Sequence, residues 1–391
     1  MYPYYFYKPF IYNTMYPSAQ SISNSIYPHH TNFSVLMPSH SITTIEKLES
    51  PYPYSKYYLS LENPAPFSYE TQALTHVDLQ QTKSVFHDLL QQSVESALDF
   101  LNEESLTFPS LYLLRLDIEN WGLFHRLNGR NKTALVLTKE ILANENTAYS
   151  IESLSCDYIH NVHAALKWML ETGFSQDGLD NDYDIILDTA AILDVKLFHE
   201  KRILPIIVEM IFNRVSKGLF THDLIWAFFE ARDPYSLMLI ANRLKSRNEK
   251  VAAFARKLLG FIPGMDTVSP NDFERQYTLV QNWLEENSPF LYYTGESLQQ
   301  TNQPIPYVIL LEAKYLCKAV AIDSGKFMEP LTNHEKNLLR DFYPLKLDTK
   351  IALTNCSFLL HQRDKMRWKM WLQNPISEQV HHARSRMGVG L

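Results

Sequence analysis

Residues Thr221–Pro263 read THDLIWAFFEARDPYSLMLIANRLKSRNEKVAAFARKLLGFIP, and this stretch decides the fold class. Two turn signals cut it into three helical pieces. Asp233-Pro234 marks the first, because Asp accepts from the orphan N–H groups at a helix start and proline's fixed φ suits the first helical position. Ser246-Arg247-Asn248 marks the second. Within each piece the apolar residues return at three- and four-residue steps, so each helix carries one apolar stripe. Short helices with one apolar face each bury that face against other helices, and the expectation is an all-α domain.

The rest of the chain agrees with that reading. It has 391 residues, 46% of them hydrophobic, enough for one large or two ordinary domains. Only 11 glycines are present, which argues against folds built on Gly-rich phosphate loops or many tight β-turns. The formal net charge of -7 gives no global electrostatic case for nucleic acid. Cys156, Cys317 and Cys356 are odd in number and far apart, with no CxxC pair, so neither a disulfide framework nor a zinc site is expected and a reducing, cytoplasmic setting fits best. No basic-then-apolar leader is visible at the N-terminus, and runs such as Ile203–Phe212 are far shorter than the roughly 20 residues of a spanning helix.

Residues 1–75 differ in kind. The opening MYPYYFYKPFIYNTMYP repeats tyrosine and proline without a fixed period, and twelve of the 23 tyrosines fall before residue 70. Nine of the 20 prolines do as well, a density that blocks both helix and central strand. The expectation is an extended, disordered Tyr/Pro-rich tail that is adhesive through its rings. Its composition resembles the leaders of surface-layer proteins of bacterial endospores, such as coat components, which implies attachment to an assembly.

From Val77 to Leu101 an apolar stripe (Leu79, Phe86, Leu90, Val94, Ala97, Leu101) predicts helix, and Leu111–Leu127 continues it until Asn128-Gly129. Within that piece, LRLDIENWGLFHRLNG faintly resembles the start of a diguanylate-cyclase domain, but the Gly-Gly-Asp/Glu turn such a domain requires is absent. Further helices are predicted over Lys132–Ala143, Ser150–Glu171 with Gly173 as a C-cap, Asp184–Phe198, and Leu204–Val215 with Pro205 in its first turn and Lys217-Gly218 as its end. Beyond Pro263, helices are predicted from Ser269-Pro270 to Asn287, over Tyr307–Ile322, from the capping box Thr332-Asn333-His334-Glu335 to Phe342, and over Leu347–His361. The domain over 76–391 thus subdivides into N-terminal helices (76–173), a central core (184–287) and C-terminal helices (307–391).

The segment FEARDPYSLMLIANRLKSRNEKVAAFARKLLGFI, Phe229–Ile262, resembles a HEAT repeat of the kind found in phycobilin-lyase-type solenoids, with the likeness running over roughly residues 221–262. Asp233-Pro234, Leu237, Ile240, Ala241, Leu244, Val251, Ala255 and Leu258/Leu259 stand where such a repeat places its turn and its packing residues. The resemblance implies stacked helix pairs and an extended partner-binding surface. Residues 184–216 read as a degenerate earlier copy. A solenoid needs about three repeats, so an irregular helical domain stands beside that expectation.

Four places draw chemical interest. Asp180, Asp182 and Asp184 alternate like the start of a calcium loop, but Ile185 and Ala191 stand where the loop needs Gly and a bidentate Glu. An acidic helix start is the simpler reading. His160 and His163, with Asp157 a turn earlier, share a helix face but lack a third ligand fixed by spacing. The long connector Ser288–Pro306 carries Tyr292, Tyr293, Thr294, Glu296, Gln299, Gln300 and Asn302, a polar-aromatic mixture suited to recognising a peptide or a sugar-like group. Trp368 and Trp371 alternate with Arg363, Lys365, Arg367 and Lys369, and Arg384 and Arg386 follow. That segment suits an acidic partner or an anionic surface, or else its tryptophans pack inward.

No nucleophile elbow, Walker loop, dinucleotide fingerprint, HExxH or kinase signature occurs, and no cofactor or metal is expected. The favoured function is a non-enzymatic interaction or scaffold protein binding other proteins, within a larger assembly, through Tyr292, Tyr293, Thr294, Glu296, Trp368 and Trp371. Two alternatives stay open: a metal-dependent hydrolase built on Asp180, Asp182 and Asp184 with His160, His163 or His199, and binding of nucleic acid or an anionic surface through the basic C-terminal segment.

Overall fold

The structure is a computed structural model that describes residues 76–143 and 156–387. The expected Tyr/Pro-rich tail, 1–75, lies outside the described residues. Among the described residues the fold is all-α, with sixteen helices and one two-stranded sheet.

Helix α1 (His76–Gln92) is separated from α2 (Val94–Asn102) at Ser93, whose backbone is extended and whose Oγ accepts from Glu95 N at 3.1 Å. The single stripe of the sequence is therefore two helices, broken by a side-chain cap. Helix α3 (Phe108–Asn120) ends seven residues before the predicted stop. Gly122 turns left-handed at φ 64° and a 3-10 turn, Phe124–Arg126, follows. Asn128 caps α4 (Gly129–Leu142), and α5 spans Cys156–Gly173. Gly173 does close α5, though its φ of -98° is one any residue adopts. What requires glycine is space: a Cβ there would sit 2.7 Å from Tyr183 Oη.

Asp180 caps α6 (Asn181–Phe198), and α7 (Leu204–Lys217) carries Pro205 in its first turn and ends on left-handed Gly218, as predicted. Arg214, near the end of α7, holds three elements together. Its Nε and Nη2 bind Asp177 at 2.9 and 2.6 Å, and Nη1 binds Asp188 of α6 at 2.8 Å. Burial opposes the guanidinium charge, but the two carboxylates outweigh it and raise its pKa.

Thr221–Pro263 forms α8 (His222–Glu230), α9 (Leu237–Ala241) and α10 (Glu249–Leu259). Asp233 and Asn248 cap the second and third pieces, each accepting from the backbone N–H two residues on. The middle piece departs from the repeat pattern. It is a short α-helix between two 3-10 segments, Pro234–Ser236 and Asn242–Lys245, and Asp233–Ala241 is buried throughout. A repeat helix keeps one wet face, whereas α9 is enclosed by α7, α10 and α11 (Phe273–Asn287). Helix α11 starts at Phe273 behind an Asp272 cap, three residues past the Ser269-Pro270 signal.

The predicted helix Tyr307–Ile322 is replaced by mixed structure. Tyr307–Ile309 is strand β2, paired antiparallel with β1 (Leu291–Tyr293) in the register Tyr292 opposite Val308. Only Leu311–Tyr315 is helical (α12), and the chain then turns at left-handed Cys317 and Gly325. The competing influence is the edge of the preceding connector: β1 offers unpaired backbone groups, and Tyr307-Val308-Ile309 is a β-branched and aromatic run suited to meet them. Helices α13 (Asn333–Phe342), α14 (Leu347–Arg363), α15 (Lys365–Leu372) and α16 (Ile376–Met387) complete the chain, and the Thr332–Glu335 capping box forms in both directions.

Apolar side chains gather into one large core that runs from Phe86 to Tyr307 and a second that runs from Tyr315 to Ala383. Phe290, Ala313, Val320 and Phe358 form a small seam between them.

Candidate functional site: the C-terminal cleft

The last three helices build an open cleft of about 470 Å³. Its geometry is set at two corners. Asp364, in extended backbone, ends α14 and caps α15 by accepting from Met366 N and Arg367 N at 2.9 and 3.0 Å. The α15–α16 corner is held by Gln379, which is fully buried. Its Nε2 donates to Leu372 O and Asn374 O, and its Oε1 accepts from Tyr315 Oη at 2.7 Å. Burying a glutamine costs free energy unless each of its groups is paired, and here both ends of the amide are.

Leu360 and Trp371 form the inner wall of the cleft, and Met370, Asn374, His381 and His382 line it with Arg367 and Glu378. Trp371 is only 5% exposed. Its ring meets Tyr315 edge-on at 6.2 Å and lies 6.5 Å from His382. His382 Nδ1 is also 3.7 Å from Cys356 Sγ, which ties α16 to α14. Trp368 faces elsewhere: its Nε1 donates to Ser357 Oγ at 2.8 Å, Ser357 Oγ in turn donates to Tyr315 O, and the ring edge meets His361 at 4.7 Å. Burial, with a smaller push from Lys365, holds the His361 imidazole below its ordinary pKa. One tryptophan is therefore a structural tie and the other is the floor of a cleft.

The rim is basic and apolar together. Helix α15, KMRWKMWL, carries Lys365, Arg367 and Lys369 with no acidic residue, and all three are exposed. Met366 and Met370 are exposed between them at 68% and 57%. Unbranched methionines adapt to irregular apolar surfaces, so the pair offers apolar contact area beside the cations.

The connector residues are placed differently. Tyr293 is buried, donates to Glu230 Oε2 at 3.0 Å, and lies under Arg232, whose guanidinium sits 5.3 Å from the ring. Tyr292 is half-buried beside Gly325, where a Cβ would come within 3.2 Å of its ring. Thr294 Oγ1 donates to Ile305 O, Glu296 accepts from Ile305 N, and Gln299 donates to Asp223 of α8. These polar groups close the connector on itself and staple it to α8.

The acidic turn is likewise occupied. Asp180 caps α6 and accepts from Tyr112 Oη with both oxygens, Asp184 accepts from Gly178 N at 2.7 Å, and Asp182 is exposed. His163 points to a different carboxylate, Asp194, while His160 and His199 are exposed. Asp157 lies on α5, outside the residues whose side chains are described. Among the described residues no group of three or more His, Cys, Asp and Glu side chains is arranged to hold a metal ion. No described helix is long and apolar enough to cross a membrane.

Sequence reasoning named Trp368 and Trp371 and the cations around them, but not His381, His382, Met370 or Gln379. The signal available was the Met-x-x-x-Met spacing of Met366 and Met370, which sets both on one helix face. No protein-family model, curated protein or solved structure matches the chain.

Proposed function

We propose that the chain is a non-enzymatic interaction protein whose C-terminal cleft receives an acidic, partly apolar segment of a partner protein. The observation that carries this reading is α15, with three exposed cations, two exposed methionines and no acid, beside a cleft floored by Trp371. Cations on the rim attract and orient an acidic segment, while apolar area in the cleft supplies affinity. Elsewhere the ionisable side chains that sequence reasoning offered for chemistry cap helices, pair with one another or stand exposed, which favours binding over reaction. The Tyr/Pro-rich residues 1–75 act as a second, adhesive attachment to the same assembly.

The test is co-purification from native cells of the full chain, the chain lacking residues 1–75, and a Lys365→Gln/Arg367→Gln/Lys369→Gln variant. A stoichiometric protein partner retained by the full chain, released as salt rises and lost from the triple variant is expected, since exposed charge pairs are screened. The tail-less form should stay folded and fail to join the assembly. A partner held equally by the triple variant would sink the cleft reading, and nucleic acid in its place would move the function to polyanion binding.

A further inference from the structure

A second cluster of charged groups lies far from the cleft, where α5 meets the turn between α6 and α7. His163 of α5 stacks flat on Phe198 at 4.5 Å, with 6° between the rings, and its Nε2 stands 3.2 Å from Asp194 Oδ1. Asp194 has no exposed surface, and its two oxygens have no hydrogen-bond partner other than that imidazole. A carboxylate stripped of water and facing an imidazole's acceptor nitrogen is not a stable arrangement; one proton between the two converts it into a hydrogen bond. The same Asp194 ends α6 through its backbone, because its carbonyl accepts from Glu200 N at 3.2 Å while His199 turns left-handed.

We propose that His163 and Asp194 hold a single shared proton that latches α5 to the α6–α7 turn, and that loss of this proton above neutrality loosens the turn. Other charges also act on the pair. Glu200, on the turn, lies 3.7 Å from His163 Nε2; Lys167 of α5 bridges Glu200 and Glu171 at 3.9 and 3.7 Å, and His160 stands one turn before His163. Of the neighbouring cations, Lys201 is directed to Asp233, Lys196 lies over Trp226 of α8, and Arg130 of α4 lies over Trp168. Removing the proton therefore leaves the buried carboxylate of Asp194 beside Glu200, with Lys167 already shared between two other carboxylates.

Burial, reinforced by Glu200, pushes the Asp194 carboxyl up to about 8, while burial holds the His163 imidazole down. The raised acid stabilises the closed turn at low pH and loses that contribution as pH climbs to about 8. The depressed imidazole contributes above its ordinary value near 6.5 and loses its contribution as pH falls. Taken as a pair, the closed turn keeps one proton until about pH 8, whereas the opened turn gives up its last at about 6.5. The latch weakens between those limits, wherever the proton resides.

The experiment is hydrogen exchange of the full chain, followed by mass spectrometry of peptides covering residues 195–203, from pH 6 to 9 and corrected for intrinsic exchange. Asp194→Asn is measured in parallel, because its carboxamide donates to Nε2 without titrating. The expected result is that wild-type protection falls about tenfold per pH unit between roughly pH 6.5 and 8, while the variant stays flat. A flat wild type, or the same slope in both proteins, overturns the latch. Should the variant fail to fold, the ring 15N shift of His163 in the wild type decides: besides the imidazole's own titration, a second step near pH 8 is expected as Asp194 gives up the shared proton and Nε2 loses its hydrogen bond, and a single step at or below about 6.5 overturns the proposal.

Discussion

The two apolar cores handle charge differently. The larger core takes ionisable groups inside: Arg214 with Asp177 and Asp188, His163 with Asp194, Lys201 against Asp233. The smaller core, from Tyr315 to Ala383, buries mainly amides and hydroxyls such as Gln379, Ser357 and Thr354, with one lysine, Lys314, at its seam over Phe358 and bound to Asn287, and leaves the cations of α15 in solvent. Charge turned inward fixes which helices meet and at what register, because an unpaired ion in a core is costly. Charge left outside beside exposed methionines has no structural duty of that kind and is free to meet another molecule. On the proposed reading, that difference gives the larger core to architecture and leaves the rim of α15 for a partner.

The comparison breaks most forcefully at Arg214. Arg214→Met leaves the buried Asp177 and the half-buried Asp188 without their common partner, and a loss of about 3–5 kcal/mol in unfolding free energy is expected from urea titration. A loss below about 1 kcal/mol would mean that the charge network does not organise the larger core.

Gly173→Ala probes the same region by volume. Its Cβ would press on Tyr183 Oη at 2.7 Å, with Leu187 and Phe108 carbons at 3.1 and 3.2 Å, and overpacking of about 1–3 kcal/mol is expected. In the smaller core, Ser357→Ala removes one hydroxyl that serves both Trp368 Nε1 and Tyr315 O, so a loss of about 1–3 kcal/mol should appear together with a change in tryptophan fluorescence.

Asp364→Ala removes the cap of α15 for about 1 kcal/mol and lets the helix start fray. Binding should weaken more than stability does, because the cap also orients the rim of the cleft. Smallest of all is the effect of Lys369→Gln on the fold, within about 0.5 kcal/mol for an exposed residue. Its effect on partner release with salt should be plain, and a variant that binds as before would blur the contrast between the cores.

Much of the fold was legible because its signals are local. The cap at Asp233, the Thr332 capping box and the stop at Gly218 depend on a few neighbouring residues and formed as expected; the acidic start expected at Asp184 begins three residues earlier, behind an Asp180 cap, and the turn at Ser246–Asn248 ends in an Asn248 cap. The misplaced boundaries at Ser93, Trp121 and Phe273 are also local, and there a nearby cap or a left-handed glycine outcompeted the apolar period. The helix expected over Tyr307–Ile322 was misjudged for a different reason: its alternative, pairing with Leu291–Tyr293, lies across an intervening connector and leaves no local trace. The candidate site was half-legible. Trp371 and the cations of α15 stand in sequence, but His381 and His382 reach the cleft only because Gln379 folds α16 back.

The sequence by itself determined the helical class, the helix ends with side-chain caps and the basic-aromatic character of α15. Each follows from backbone and side-chain chemistry within about one helical turn. The tertiary structure decided which polar residues remain available. Two tyrosines, a threonine and a glutamate of the connector looked like recognition residues and are taken up by Glu230, Gly325, Ile305 and each other. His163 looked like a partner for the acidic turn and instead faces Asp194, 31 residues further along the chain. A side chain's reach fixes what it can bind, but its partner is whatever packing brings within about 3 Å, and that is settled only when all the helices have closed on one another.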